Sequence, residues 1–586
     1  MKVDIKGFGG EQPRVDPYYL PDTAAVTARD ARLTRGTIAP MKGGKQVTVL
    51  PVTPGSKLGA IYLHNGEWFS WYQPVKCAPG PVATDRLYIS RTSDIPQMFT
   101  GYHEIQLKLP NPTGAPGAAH EDSEPVDPDI AVWVSYCYTF VTNLNEETGP
   151  GANSNPLRWN EGVQINLTFQ PTAPQIGARD KMYRRIYRSE TSASGITDFY
   201  LVAEIDPFLT SWSDLYGDNP IMEALPTKHY EPAPDDLRQI TALPNGMMAG
   251  FSGRDIMFCE PYIPSAWPPD YALTLTDDPV ALVATGTSLV VLTNGQPYII
   301  QGTTPDAMTM SKVEVTFPCV SVLSAVDMGY AAIYASPHGL VKISESGAQL
   351  ISEKIWDQDA WDAIDHASIA AARWGDQYIF TYDLVDGGRE LAILNPTDQP
   401  TLVKSSISAR ALYTANDGTL YFLDDDGQTV YEWHAGAPMP YEWKSKPFRF
   451  NAATGFSAIY LKTLARKAPK FQPDGAHVIV QERAIAVLGG VDVASQSSDD
   501  VTLEVDAATL KSDGADSVTL DFNPVSGDDF KLEVYGDGEL IVTHDKGAGK
   551  LLRVPAGEYY DWQLRVTGTA EILNIAIGQS AREVGP

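Results

Sequence analysis

Gly286-Thr287-Ser288-Leu289-Val290-Val291-Leu292-Thr293-Asn294-Gly295-Gln296-Pro297-Tyr298-Ile299-Ile300 reads as a glycine turn, a strand, a second glycine turn and another strand. β-Branched and aromatic side chains suit a half-buried pleated surface, and glycine supplies the dihedrals that tight turns need. The same unit occurs five times in succession. Its first turn is marked by Gly246, Gly286, Gly329, Gly375 and Gly418, spaced 40 to 46 residues apart, and its second by Gly253, Gly295, Gly339, Gly387 and Gly427. Between the turns lie runs such as Ala331-Ala332-Ile333-Tyr334 and Thr419-Leu420-Tyr421-Phe422-Leu423. A unit of this length built from short antiparallel strands cannot cover its own faces, and radial stacking of such units gives a β-propeller. The competing arrangement is two stacked β-sandwiches whose turns happen to be evenly spaced.

Working outward, Ile61-Tyr62-Leu63, the Asn65-Gly66 turn and Trp68-Phe69-Ser70-Trp71 form a hairpin signal, followed by the strand-like Asp85-Arg86-Leu87-Tyr88-Ile89-Ser90. Residues 51–101 are therefore expected to form one more blade, six in all, separated from residues 239–440 by an insertion. The insertion spans 102–238: a Pro- and Gly-rich linker, then alternating runs such as Val132–Val141 and Met182–Ser189 that predict a fibronectin type III-like sandwich. Residues 441–586 supply a C-terminal β-sandwich or platform, with clean alternation in Trp562-Gln563-Leu564-Arg565-Val566. Residues 1–50 read as an arm with a short helix over Thr23–Leu33, capped by Pro21-Asp22. The expected fold class is all-β.

Composition narrows function. The chain carries 44 Lys and Arg against 73 Asp and Glu, a net charge of −29, which argues against a protein that grips phosphate through a basic face. The acid is concentrated: residues 241–440 hold eight basic and twenty-four acidic side chains, whereas residues 1–50 hold eight basic and five acidic. A solvated acidic surface explains this, and so does a wall that repels nucleic acid. Cys77, Cys137, Cys259 and Cys319 lie far apart without a CxxC pair, so reduced thiols are expected rather than a zinc or disulfide framework. No stretch approaches the roughly twenty apolar residues of a membrane helix, so no membrane anchoring is expected.

The sequence contains no HExxH, GxSxG, Walker or EF-hand pattern. Asp424-Asp425-Asp426-Gly427 has the look of a turn, and the nine histidines are dispersed. No cofactor or metal is implied, and the chain is not expected to be an enzyme. Some propellers cleave sugars with paired carboxylates, so a carbohydrate-binding or glycoside-cleaving surface protein is the alternative, with Trp68, Trp71, Trp374 and Trp433 as candidate sugar platforms.

Three separated stretches carry a resemblance. Gly10-Glu11-Gln12-Pro13-Arg14-Val15, Leu20-Pro21-Asp22-Thr23-Ala24 and Gly36-Thr37-Ile38-Ala39-Pro40-Met41 form the first; Tyr138–Thr142 with Glu146-Glu147 and Arg185-Ile186-Tyr187-Arg188-Ser189 form the second; Leu552–Gly557, Trp562, Val566-Thr567-Gly568 and Ile575–Glu583 form the third. In this order they resemble the tail nozzle, or tail tubular protein B-like, family of tailed bacteriophages. The Ser- and Asp-rich interval from Asp492 to Asp529 departs from that pattern. The resemblance implies a virion protein, made and assembled in the host cytoplasm, that forms a homo-oligomeric ring, typically hexameric. Such a ring would extend or close the DNA channel and gate genome release. Its partners would be adaptor or portal proteins above, tail fibres, a spike or a needle below, and double-stranded DNA in passage without sequence-specific binding. Part of the central acid, including Asp424, Asp425 and Asp426, is then expected at the channel or its rim, and the loop bearing Thr303, Pro305, Met308 and Met310 is the candidate gate.

Overall fold

A computed structural model describes residues 1–91, 94–121, 126–127, 129–160, 162–191, 197–215, 218–397, 399–464 and 529–585, together with three strands between 503 and 522. Six four-stranded antiparallel sheets succeed one another, with first strands Val75–Pro79, Arg238–Ala242, Pro279–Thr285, Val326–Asp327, Ile364–Trp374 and Ala409–Thr414. From the second sheet to the sixth these first strands contact their neighbours in sequence order, and the second contacts the first, so they line the axis of a propeller. The glycines of the recurring unit explain why the blades turn where they do. Gly246, Gly286, Gly329, Gly375 and Gly418, each between a first and a second strand, all have φ between +59° and +86°, where a Cβ would be strained.

The upstream segment splits in two. Val75–Gln106 makes a complete blade, whereas the hairpin Ala60–His64 and Glu67–Trp71 pairs with neither neighbour and occupies a seventh position in the ring. It packs on the sixth blade through Tyr62 and Tyr413, whose rings lie 4.8 Å apart, and on the first blade through Phe69 and Phe99, 4.9 Å apart. The sixth blade takes its outer strand, Lys45–Val49, from the N-terminal segment, in the register Thr429↔Val49 and Val430↔Thr48. The ring is thereby closed by residues that precede it in sequence.

The helix expected over Thr23–Leu33 is a correction: the segment forms strand Ala25–Arg29, Asp30 at φ +51°, then strand Ala31–Arg32. Alanine's helix propensity is a weak term beside tertiary pairing. Ala25 and Ala28 are fully buried, and their small side chains let this strand lie against Tyr441–Ser445 while Arg29 bridges Lys404 in the fifth blade. A ten-stranded sheet results, running from the fifth blade through Ala25–Arg29 into Tyr441–Ser445, Tyr559–Gly568, Phe530–Gly536 and Glu539–His544, with Phe448–Thr454 alongside. A second sheet, Lys2–Lys6, Ile572–Gly578, Ala458–Thr463 and Leu551–Arg553, contributes Ile5, Ile459, Leu461 and Ile575 to the same core as Trp443 and Trp562. The expected C-terminal sandwich is thus completed by N-terminal strands.

Glu11 and Asp30 weld this platform to the propeller. The Glu11 carboxylate accepts from the Ala28 backbone N–H at 2.8 Å, and that of Asp30 accepts from Ser405 Oγ at 2.8 Å and the Ser406 N–H at 2.9 Å. Burial raises the pKa of Glu11.

The insertion is a sandwich. One sheet contains Tyr136–Thr142, Arg179–Thr191 and Thr197–Ile205, the other Gly117–His120, Gln164–Thr168 and Ser211–Leu215, around Tyr136, Phe140, Trp159, Ile165 and Ile186. Most of the interval from Asp492 to Asp529 lies outside the described residues; within it Ala508–Ser512 pairs with Val518–Phe522.

Candidate functional site in the propeller bore

First strands of a propeller turn their edges to the axis, and here they leave a cavity of about 650 Å³. The hairpin contributes Ile61, Tyr62 and Trp71, and the first blade Val75, Lys76 and Cys77. The fourth blade and the segment before it contribute Val322, Leu323, Val326 and Asp327; the fifth supplies Ala370–Arg373 and the sixth Ala411–Gly418. Small side chains at Ala370, Ala371, Ala372, Ala411 and Ala415 explain why the bore is open, and the two-stranded seventh unit widens it on one side.

The wall mixes apolar and aromatic surface with polar groups and carries four charged side chains, Lys76, Asp327, Arg373 and Asp417. Lys76 lies half-buried in the wall and forms no ion pair or hydrogen bond through its ammonium among the described residues. Asp327, three blades on around the ring, lines the same cavity and forms no ion pair with it among the described residues. Burial lowers the pKa of Lys76, partly offset by Cys77 and Asp327. Asp327 Oδ1 accepts from the Gly329 N–H at 2.8 Å, and Asp417 accepts from the Thr419 N–H at 2.9 Å. Burial pushes the Tyr413 hydroxyl up to about 12, and its O–H donates to the Leu63 carbonyl at 3.1 Å. The arrangement can hold a small organic molecule by apolar contact together with a charged anchor.

The acids singled out in the sequence lie elsewhere. Asp424 ends the second strand of the sixth blade, Asp425 and Asp426 follow in the turn to the third, and none of the three lines this cavity within one chain. Asp425 accepts from Arg389 of the fifth blade at 3.2 Å and from Ser408 Oγ at 2.8 Å. Asp426 accepts from the Gln428 and Thr429 N–H groups and from Thr429 Oγ1, which hold its pKa below the usual carboxylate value against the effect of burial. These acids therefore tie two blades together and fix a turn.

Thr303, Pro305 and Met308 belong to the connection between the third and fourth strands of the third blade and Met310 to the fourth strand, all outside the lining of this cavity. Pro305 is buried, Met308 and Met310 pack on the cluster containing Phe251, Leu275 and Tyr298, and Asn245 donates to the Thr303 carbonyl at 3.1 Å. The loop braces two blades and is pinned in place.

Among the candidate sugar platforms, Trp433 is buried, Trp374 packs on His434, and Trp68 lies edge-on to Tyr421 at 5.0 Å; Trp71 alone of the four borders the bore. No group of His, Cys, Asp and Glu among the described residues is arranged to hold a metal ion. Sequence reading missed Lys76 altogether. Its one signal is a cation inside an otherwise apolar strand, Val75-Lys76-Cys77-Ala78.

Sheet pairing thus defines an all-β protein, a propeller carrying an inserted sandwich and a terminal platform. No protein-family model matches the chain, and no curated protein does. Solved structures that match include propellers. The Neurospora crassa Pan2 WD40 domain is 10% identical, covering 68% of this chain and 97% of its own, with a TM-score of 0.29. A catalytically inactive virginiamycin B lyase from Staphylococcus aureus with quinupristin is 12% identical, covering 67% and 99%, at 0.28. The Dos1 propeller is 9% identical, covering 74% and 96%, at 0.27. At those scores the likeness adds nothing to the strand pairing, on which the fold rests.

Proposed function

We propose that this chain is a structural subunit of a bacteriophage tail, one copy of a homo-oligomeric nozzle ring that extends or closes the DNA channel and gates genome release. The observation that carries the reading is the pairing of Ile38 with Ile572. Each donates its backbone N–H to the other's carbonyl, at 3.0 and 2.8 Å. Ile38 belongs to the N-terminal stretch of the nozzle resemblance, and Ile572 lies just before the Ile575–Glu583 part of the closing stretch. The two ends of the resemblance are thus one structural unit, as expected if the platform, rather than either segment alone, is the shared feature. The second stretch also forms a unit: Arg185 Nη1 and the Tyr187 hydroxyl both donate to Glu147, at 2.7 Å each.

The charge of the chain fits a conduit for duplex DNA. DNA carries about one negative charge per 1.7 Å, so a basic lumen would retard its exit and an acidic one lets it slide. Negative-stain microscopy of the purified full-length chain tests the proposal. A ring of identical subunits with a central hole is expected, its bore lined by Asp and Glu in a subsequent map; a monomer at every concentration, or a bore lined by Lys and Arg, overturns it.

A further inference from the structure

An isolated ammonium group in a partly apolar cavity is costly. Water is partly excluded from it, and no carboxylate comes within ion-pair distance to compensate. Lys76 is in that position: of the four charged side chains on the wall, Lys76, Asp327, Arg373 and Asp417, it alone has no side-chain hydrogen bond or ion pair among the described residues. The groups nearest to balancing it are Asp327, across the bore, and the neutral thiol of Cys77, whose pKa burial pushes well up. The Asp327 side chain is already engaged with the N–H of Gly329.

The rest of the bore has the features of a small-molecule site rather than of a packed core. It offers about 650 Å³ of space, within the range of organic-ligand pockets. On the hairpin and sixth-blade side it presents the rings of Tyr62, Trp71 and Tyr413, and on the opposite side the aliphatic surfaces of Val322, Leu323 and Val326. Arg373 Nε is engaged with the Gly375 carbonyl at 2.8 Å, so apolar walls on two sides with one unpartnered cation between them suit a planar apolar body bearing a single negative group.

We propose that the propeller bore binds a small aromatic carboxylate, its ring system lying against Tyr62, Trp71 and Tyr413 and its carboxylate paired with the Lys76 ammonium. The site lies within one chain and does not depend on ring assembly. Binding supplies the counter-charge that the fold withholds from Lys76, and the desolvation cost has already been met in folding, which favours a charged partner over a neutral one of the same shape.

The test is isothermal titration calorimetry of the full chain with 2-naphthoate as probe and 2-naphthylmethanol as its neutral counterpart. The wild type is expected to bind one 2-naphthoate saturably. Lys76→Met, which replaces the buried charge with a thioether of similar length, is expected to weaken binding by roughly tenfold or more, the size of one lost charged hydrogen bond, while Lys76→Arg retains it. Thermal unfolding of both variants checks that they are folded, and Lys76→Met is expected to be at least as stable as the wild type. Absence of saturable binding by the wild type overturns the proposal. So does equal binding by Lys76→Met, or equal affinity for the neutral alcohol.

Discussion

Thr429, in the third strand of the sixth blade, pairs across the sheet with Val49, so the propeller is closed by a strand drawn from the segment ahead of its first blade. The approach to that strand is tight. A Cβ on Gly44 would stand 2.7 Å from the Phe422 ring and 2.9 Å from Tyr431 Cβ.

Gly44→Val should therefore push the closing strand off the sixth blade. Overpacking of this kind costs about 1–3 kcal/mol. The expected outcome is a lower unfolding midpoint together with faster amide exchange in residues 45–49 and 429–432, measured by mass spectrometry. Unchanged exchange there would show that closure does not depend on this contact.

Arg179 should hold the inserted sandwich to the propeller. It is buried, its Nε lies 2.5 Å from Glu146 Oε2, and its remaining N–H groups donate to the carbonyls of Gln106, Leu107, Lys108 and Gly177. Arg179→Met leaves those carbonyls without their donor and the buried carboxylate with only Arg86, 3.9 Å away, a loss of about 3–5 kcal/mol. Limited proteolysis should then cut the linker after Gln106, and Glu146→Gln in the same chain should restore part of the resistance.

His434 should make stability depend on pH. It sits at φ +59°, its Nδ1 accepts from the Lys42 N–H at 3.1 Å, and burial with Arg32 and Lys42 nearby lowers its pKa from 6.5 to about 4. The folded state then binds fewer protons than the unfolded state between those values, so the contribution is present above pH 6.5 and is lost as pH falls toward 4. Asn tolerates the same backbone region. Melting midpoints of His434→Asn should fall less steeply than those of the wild type across this window; parallel curves would refute the assignment.

The thiols should be inert in the folded chain. Burial pushes Cys137, Cys259 and Cys319 up to about 12, and Cys77 is raised as well. Titration with a thiol-reactive disulfide at about pH 8 should show little reaction until denaturant is added, when four groups react.

Much of the propeller is legible in sequence because its information is local. Gly286 and Gly418 announce turns that only a residue free of a Cβ adopts readily, and the strand runs between them need no distant partner to be recognised. What escaped reading depends on residues far apart in the chain. Lys45–Val49 is a run of five residues without clear alternation, exposed along most of its length, and becomes a strand only because Thr429–Glu432 offers an edge. Ala25–Arg29 reads as helix on propensity, yet Tyr441–Ser445 decides it. The hairpin at Ala60–Trp71 and the blade beginning at Val75 are separated by only three residues, so no composition break divides them. Lys76 and Asp327 come to line one cavity only through the closure of the whole ring. No local pattern encodes that relation.

The early strands set a schedule for biosynthesis. Lys2–Lys6 finds its partner at Ile572–Gly578, Ala25–Arg29 at Tyr441–Ser445 and Lys45–Val49 at Thr429–Glu432. All three emerge from the ribosome hundreds of codons before the segments they pair with. Their unpaired edges must be kept from other nascent chains throughout translation, and contacts of such long sequence separation form slowly. Overproduction is consequently where this architecture is weakest: slower elongation, lower temperature or a holdase chaperone should raise the yield of native material more than any gain in equilibrium stability.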